Sequence, residues 1–270
     1  MSSKGALVVI GSGPGIGQAT ACRFAEQGFH HIVLLSRDAT RLAEDAKAVK
    51  SAASTVNVEI LQIDLAAEEA SVRNALSKVD AKLRAAGTLL EVVHYNAARV
   101  GPSKVLEWEA KSLEEDLKVF PAHGTMNTST PTDKVQITTV SLYITLQWAV
   151  PHLVETAKSP THNPAFLVTS GLLYRDPYPV LFSLSVGKAA QHNLIQSFHK
   201  KYEPHIHVAC VPVGGSVSDE AKVTTARAVA EQFWKLYEQP KGTEGKGSVE
   251  MYEPGYEAGI EQIRKAVEGE

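Results

Sequence analysis

Gly11-Ser12-Gly13-Pro14-Gly15-Ile16-Gly17 is the stretch that decides the fold. It follows the apolar run Ala6–Ile10, read as a short buried strand. It opens a stretch with helical spacing, Ile16–Gln27, which Gly28 ends. Glycines at 11, 15 and 17 give the spacing G-x-x-x-G-x-G. A tight turn needs positive φ at some of these positions. A backbone that must approach an anion closely leaves no room for a Cβ. The helix beginning near Gly15 aims its free N–H groups and positive dipole end at whatever lies over the loop. A glycine loop alone says little, but between a strand and a helix it reads as a phosphate-binding turn.

Outward from that loop, strands and helices alternate. Ile32–Leu35, Val58–Ile63 and Leu89–Tyr95 read as strands, separated by helices over Thr40–Ala53 and Glu68–Ala86. The second half continues with a helix over Lys134–Val154, a strand over Ala165–Thr169, a helix over Leu181–Tyr202 and a strand over His207–Val211. Asp219 reads as the N-cap of a helix reaching about Tyr237. Gly242–Gly247 is a turn-rich break, Ser248–Tyr252 an edge strand and Gly255–Val267 a terminal helix. Alternation of this kind implies right-handed crossovers and a Rossmann-type, doubly wound, mostly parallel sheet with helices on both faces. No linker interrupts it, so residues 1–270 read as one domain. The irregular stretch is 100–133, and a connection that long is usually functional or mobile.

Composition narrows the classes. The chain has 270 residues, 44% hydrophobic, enough for a sizeable core. Its net charge of −3 speaks against a nucleic-acid partner. The stretch from Lys241 to Glu270 leans acidic and reads as a solvated edge. No apolar run reaches the roughly 18 residues of a membrane span, and the N-terminus lacks a leader pattern. Cys22 and Cys210 lie far apart in apolar surroundings, as reduced thiols of a cytoplasmic protein would. No Cys or His spacing suits a metal, His30-His31 and His205-X-His207 included.

G-x-x-x-G-x-G at the first strand–helix junction resembles the short-chain dehydrogenase/reductase family, and the resemblance runs over nearly the whole chain. On that resemblance Gly11, Ser12, Gly13, Gly15, Ile16 and Gly17 cradle the cofactor diphosphate. Ser36 and Arg37 end the second strand, where NAD-preferring relatives carry an acid. An Arg there suits a 2′-phosphate, although Asp38 is adjacent, so the implied cofactor is NADP(H). Asp64-Leu65 resembles the adenine-contacting pair, and Asn96-Ala97-Ala98 resembles Asn-Ala-Gly. Pro212, Gly214 and Gly215 stand near the Pro-Gly run that approaches the nicotinamide.

The family's catalytic pattern is only half kept. Ser170 matches the serine and Lys188 the lysine, which also binds the nicotinamide ribose. Leu184 occupies the tyrosine position, one helical turn before Lys188, and Leu neither gives nor takes a proton. Thr138 falls nearest the relay Asn. The loop Gly171-Leu172-Leu173-Tyr174-Arg175-Asp176-Pro177-Tyr178-Pro179 offers substitutes. Tyr174 or Tyr178 could donate a proton, and Asp176 could manage one or orient a cationic substrate; a Pro-bounded surface turn explains the same residues.

The resemblance thus implies an NADPH-dependent oxidoreductase reducing a carbonyl or iminium of a small or medium organic molecule, with atypical proton chemistry. A non-redox cyclase or isomerase, and an inactive NADP(H)-binding protein, stay open beside it. Substrate walls are expected from residues 100–133, with Trp108, Phe120, His123 and Met126. Family members pair through the two long helices, which implies a homodimer or homotetramer.

Overall fold

The computed structural model describes residues 4–98, 100, 103, 136–239 and 246–261. Within them seven strands form one sheet: β1 (Ala6–Ile10), β2 (His31–Ser36), β3 (Asn57–Gln62), β4 (Leu90–Tyr95), β5 (Ala165–Gly171), β6 (His207–Gly214) and β7 (Met251–Tyr252). The order is β3-β2-β1-β4-β5-β6-β7, and every pairing is parallel. This is the Rossmann-type α/β fold expected from the sequence.

The central strands β1, β2, β4, β5 and β6 are buried on both faces, as a parallel sheet covered by helices on both sides requires. In β1, Ala6, Val8 and Ile10 join a core with Val72 and Leu76 of α3 (Glu69–Ala86), Leu142 and Leu146 of α4 (Ser141–Thr156) and Ile195 of α5 (Phe182–Tyr202). Leu7 and Val9 join the opposite core with Phe24 of α1 (Ile16–Glu26), Leu42 and Val49 of α2 (Ala39–Ala52) and Phe233 of α6 (Ala226–Tyr237). The crossovers leave β1 toward β2 on one side and return to β4 on the other. The order therefore reverses between β1 and β4, and a crevice opens at their carboxyl ends.

Several elements differ from expectation. Asp219 caps no helix: α6 begins at Ala226, and Thr225 is its N-cap, its hydroxyl accepting from Ala228 N at 3.1 Å. The reason lies across the chain, where the Glu253 carboxylate accepts the backbone N–H groups of Lys222, Val223 and Thr224. Those three amides are satisfied without a helix. The long helix before β5 starts with a π-turn, Gln136–Val140, before turning α-helical at Ser141. The edge strand shrinks to Met251–Tyr252, with an isolated bridge from Ser248 to Cys210. Residues 256–261 are helical as expected. Lys134, Gly242, the rest of the terminal helix and most of 100–133, including Trp108, Phe120, His123 and Met126, lie outside the described residues.

The β4 residue His94 is fully buried, its Nε2 2.9 Å from Thr169 Oγ1 and its ring 4.5 Å from Phe233. Burial pushes its pKa down to about 3, so the folded chain resists a proton that the unfolded chain accepts near 6.5. Stability present above pH 6.5 is therefore lost as the pH falls toward 3. His207, lowered to about 4, adds to the same slope. Urea midpoints at pH 7 and 4.5 should fall less in His94→Leu than in the parent chain; equal losses would dismiss the buried imidazole as their source.

Candidate active site

The glycine loop closes on itself at one side and stays open at the other. Gly11 has φ 88°, and its N–H and that of Ser12 donate to Leu35 O at 2.8 and 2.9 Å. Asn96, just past β4, donates its side-chain N–H to Gly11 O at 2.9 Å and its backbone N–H to Ile10 O at 2.8 Å. A Cβ at Gly11 would lie 2.6 Å from Ala97 N, and one at Gly17 would lie 2.9 Å from Gly11 O. A Cβ at Gly13 or Gly15 would meet nothing within 4 Å. Gly15, φ 107°, precedes α1 with no capping side chain, so the first N–H groups of the helix face that open side. An anion fits there by space, by donors and by dipole.

The neighbouring predicted residues surround this cradle. Ser36 ends β2, and Arg37 and Asp38 follow it exposed. The Asp38 carboxylate is committed to capping α2, accepting Thr40 N and Arg41 N at 2.9 and 3.1 Å. Ser12 donates its hydroxyl to buried Asp45 at 2.6 Å, and Gln18 donates to the same carboxylate at 2.9 Å, which fixes the loop to α2. Asp64 is exposed and accepts Ala66 N at 3.0 Å, while Leu65 is buried. Ala97 is partly buried and Ala98 exposed beyond the tip of β4.

Across the sheet a second group assembles at the end of β5. Ser170 is buried and donates to Gln191 Oε1 at 2.9 Å. Lys188 is buried too, and its Nζ donates to the same oxygen at 2.9 Å. Gln191 Nε2 in turn donates to Thr138 O, in the π-turn, at 3.2 Å. Tyr95 holds that turn from the other side, its hydroxyl donating to Ile137 O at 2.5 Å. Burial pushes Lys188 down to about 8, with Cys210 opposing. Among the described residues no carboxylate pairs with it. Leu184 is buried one turn earlier on α5. The sequence reading brought Ser170, Lys188 and Thr138 together but missed Gln191. Its signal was present: it stands three residues after Lys188, on the same helical face.

The loop after Ser170 is tied elsewhere. Tyr174 stacks on His192 at 3.8 Å, and its hydroxyl donates to Glu250. Burial, then the Glu250 carboxylate, raises that phenol above its ordinary value. Arg175 binds Asp176 at 3.0 Å, Glu250 at 2.6 Å and Glu257 at 2.9 Å. Tyr178 is exposed, its backbone N–H donating to Ser185 Oγ at 3.2 Å. Among the described residues no hydrogen bond joins Tyr174, Asp176 or Tyr178 to Ser170 or Lys188. Pro212 lies opposite Ser170 in the β5–β6 register. Gly214 leaves no space for a Cβ, which would sit 2.6 Å from Leu172 and 2.9 Å from Tyr256; Gly215 turns at φ 86°.

Residues 5–228 match the family model described as short chain dehydrogenase. Solved structures agree in fold. An alcohol dehydrogenase from the archaeon Thermococcus sibiricus, complexed with 5-hydroxy-NADP, superposes with TM-score 0.71 at 19% identity, over 92% of this chain and 95% of that one. An NADH-dependent reductase complexed with NAD gives TM-score 0.71 at 17% identity, over 94% and 96%. Acetoin dehydrogenase from Enterobacter cloacae gives 0.72 at 17%, over 92% and 95%. At such identity the likeness shows the fold. By sequence, no curated protein matches the chain.

The two kinds of glycine should separate in stability. Gly11→Ala should cost about 1–3 kcal/mol for the left-handed backbone alone, plus the clash with Ala97. Gly13→Ala should stay within about 1 kcal/mol, because nothing meets its Cβ. Thermal midpoints decide it, and equal losses would contradict the one-sided packing.

Proposed function

The chain belongs to the short-chain dehydrogenase family, and from that premise we propose that it is an NADP(H)-dependent oxidoreductase. Its substrate is a small or medium organic molecule with a carbonyl or iminium carbon. The observation that carries the reading is the pairing of two features at the carboxyl ends of β1 and β5, on either side of β4. One is a glycine cradle open at Gly13 and Gly15, the other a buried hydroxyl and ammonium sharing one acceptor. A nicotinamide cofactor would supply the hydride. The glycine loop and the first turn of α1 would bind the diphosphate, and the family resemblance assigns the ribose of the nicotinamide to Lys188.

NADP(H) over NAD(H) rests on charge at the end of β2. Arg37 is exposed beside the cradle, and the one nearby acid, Asp38, is turned into a helix cap. A guanidinium pairs with a 2′-phosphate, and the Asp38 carboxylate is drawn toward the N-terminus of α2 by its cap bonds. Solved relatives hold either nucleotide, so Arg37 is the discriminating residue.

Leu184 stands where the family resemblance places a tyrosine, so the proton chemistry is atypical. The apolar side chain keeps water from the site and lowers the local dielectric. An iminium carbon needs no proton donor when it accepts hydride; a carbonyl does.

We also propose a homodimer or homotetramer through α4 and α5. They flank a groove of about 350 Å³ lined by Tyr143, Val150, Phe198 and Tyr202, with Tyr143 44% exposed. No described helix is long and apolar enough to cross a membrane. Both thiols are free, in keeping with a reducing cytoplasm.

Fluorescence titration of Arg37→Ala tests the cofactor choice. A lost charge-assisted pair costs about 1.5–3 kcal/mol, so NADPH affinity should fall roughly 10- to 100-fold while NADH affinity barely moves. Equal weakening of both would remove Arg37 from the 2′-phosphate.

A further inference from the structure

Carbonyl reduction needs a proton, and Leu184 cannot give one. We propose that the Lys188 ammonium, held beside the Ser170 hydroxyl by their shared acceptor on Gln191, delivers that proton to the substrate oxygen. The proposal rests on the hydride-transfer reading above.

The geometry itself describes a site for a carbonyl oxygen. Gln191 Oε1 is a carbonyl oxygen, and it receives one hydroxyl and one ammonium donor at 2.9 Å each. The two donors are therefore no more than two hydrogen-bond lengths apart. A substrate carbonyl that takes over those donors meets a hydroxyl to polarise it and an ammonium to protonate it. Donors fixed in advance around a developing oxyanion are worth most where water is excluded, and both are buried here.

Among the described residues no neighbouring group competes for the task. Facing Lys188 from β6 is Cys210, whose thiol burial raises to about 11. His192, next along α5, is lowered by burial and stacked under Tyr174. Tyr174 donates its hydroxyl to Glu250 and, raised by burial and that carboxylate, keeps its proton, while Glu250 also binds Arg175. The Lys188 amine, brought near 8 by burial, is charged at neutral pH yet close to the value that suits a general acid.

The step balances. The carbonyl carbon accepts the hydride with its electron pair, the C=O π pair moves onto oxygen, and an Nζ–H bond breaks as the O–H bond forms. The products are the alcohol, the oxidised nucleotide and a neutral Lys188 amine, which regains a proton from solvent.

Two readouts test this. The first uses the protein without nucleotide: NMR of lysine labelled at Cε, with Lys188 assigned by its absence in Lys188→Arg. Lys188 should titrate near 8, well below the exposed lysines. Gln191→Glu should raise that value, because a carboxylate favours the ammonium. The second is single-turnover loss of NADPH absorbance with diacetyl and with N-methyl-dihydroisoquinolinium, an iminium that needs no proton. Diacetyl reduction should fall about tenfold per pH unit above the Lys188 titration, and Gln191→Glu should move that limb upward with it. Lys188→Arg keeps the charge but holds its protons, so the ratio of diacetyl to iminium rates should drop about 100-fold. A Lys188 titrating with the surface lysines overturns the proposal. So does a pH limb that ignores Gln191→Glu, or a ratio held within about threefold in Lys188→Arg. NADPH binding with neither acceptor reduced is a separate failure: the hydride-transfer reading falls and takes the proposal with it.

Discussion

Gly17 comes so close to the carbonyl of Gly11 that a Cβ would lie 2.9 Å from it, and Gly11 presses harder still on the backbone of Ala97, where a Cβ would lie 2.6 Å away. Three segments meet in this contact: the end of β1, the start of α1 just after it, and the tip of β4 some 80 residues later. Glycine permits it, and Asn96 reinforces it by donating to the Gly11 carbonyl. Since the sheet order reverses between β1 and β4, the contact lies at the switch point where open α/β sheets leave a crevice. The packed side of the loop fixes the start of α1; the other side, at Gly13 and Gly15, is left open beside the uncapped first turn of that helix. The close-packed face and the open face are thus two sides of one turn.

Much of this was legible in the sequence, because the signals are local or periodic. Seven apolar runs at strand length, separated by helical spacing, leave little choice but a parallel sheet. The glycine loop carries its own context in its flanks. What escaped depends on residues distant in sequence. Asp219 looks like an N-cap, yet a carboxylate 34 residues later, Glu253, satisfies the amides that a helix there would have used. Gln191 looks like an ordinary helix residue until the end of β5 and the π-turn are set beside it. Neither case has a short-range signature, since each is decided by which strand ends lie side by side.

Lys188 makes the same point energetically. Placing an ammonium in a buried site where no described carboxylate pairs with it costs free energy. The chain offsets the cost only in part, through one amide oxygen that also serves Ser170. A purely structural lysine at this point on α5 would be better replaced by an apolar residue of similar length. Retaining it, with a leucine one turn away that can pair with nothing, sets aside stability for a group whose charge is easily given up.

The acidic C-terminal stretch, which reads as a solvated edge, supplies acceptors instead. Glu250 takes the Tyr174 hydroxyl and the Arg175 guanidinium; Glu257 takes the same guanidinium; Glu253 takes three amides from the turn before α6. Tyr252 and Tyr256 pack against Gly214 between these ties. One short segment therefore fastens the loop after β5 to the turn after β6. The phenol and carboxylate that composition alone would offer as proton donors, Tyr174 and Asp176, are held by it with their polar atoms already engaged. Freeing Tyr174 would mean breaking its bond to Glu250 and leaving the carboxylate with Arg175 alone. At the end of β5 the Ser170 hydroxyl and the Lys188 ammonium are tied instead to one neutral acceptor, Gln191, and in the proposed reaction a competing carbonyl would displace that acceptor without stranding a charge.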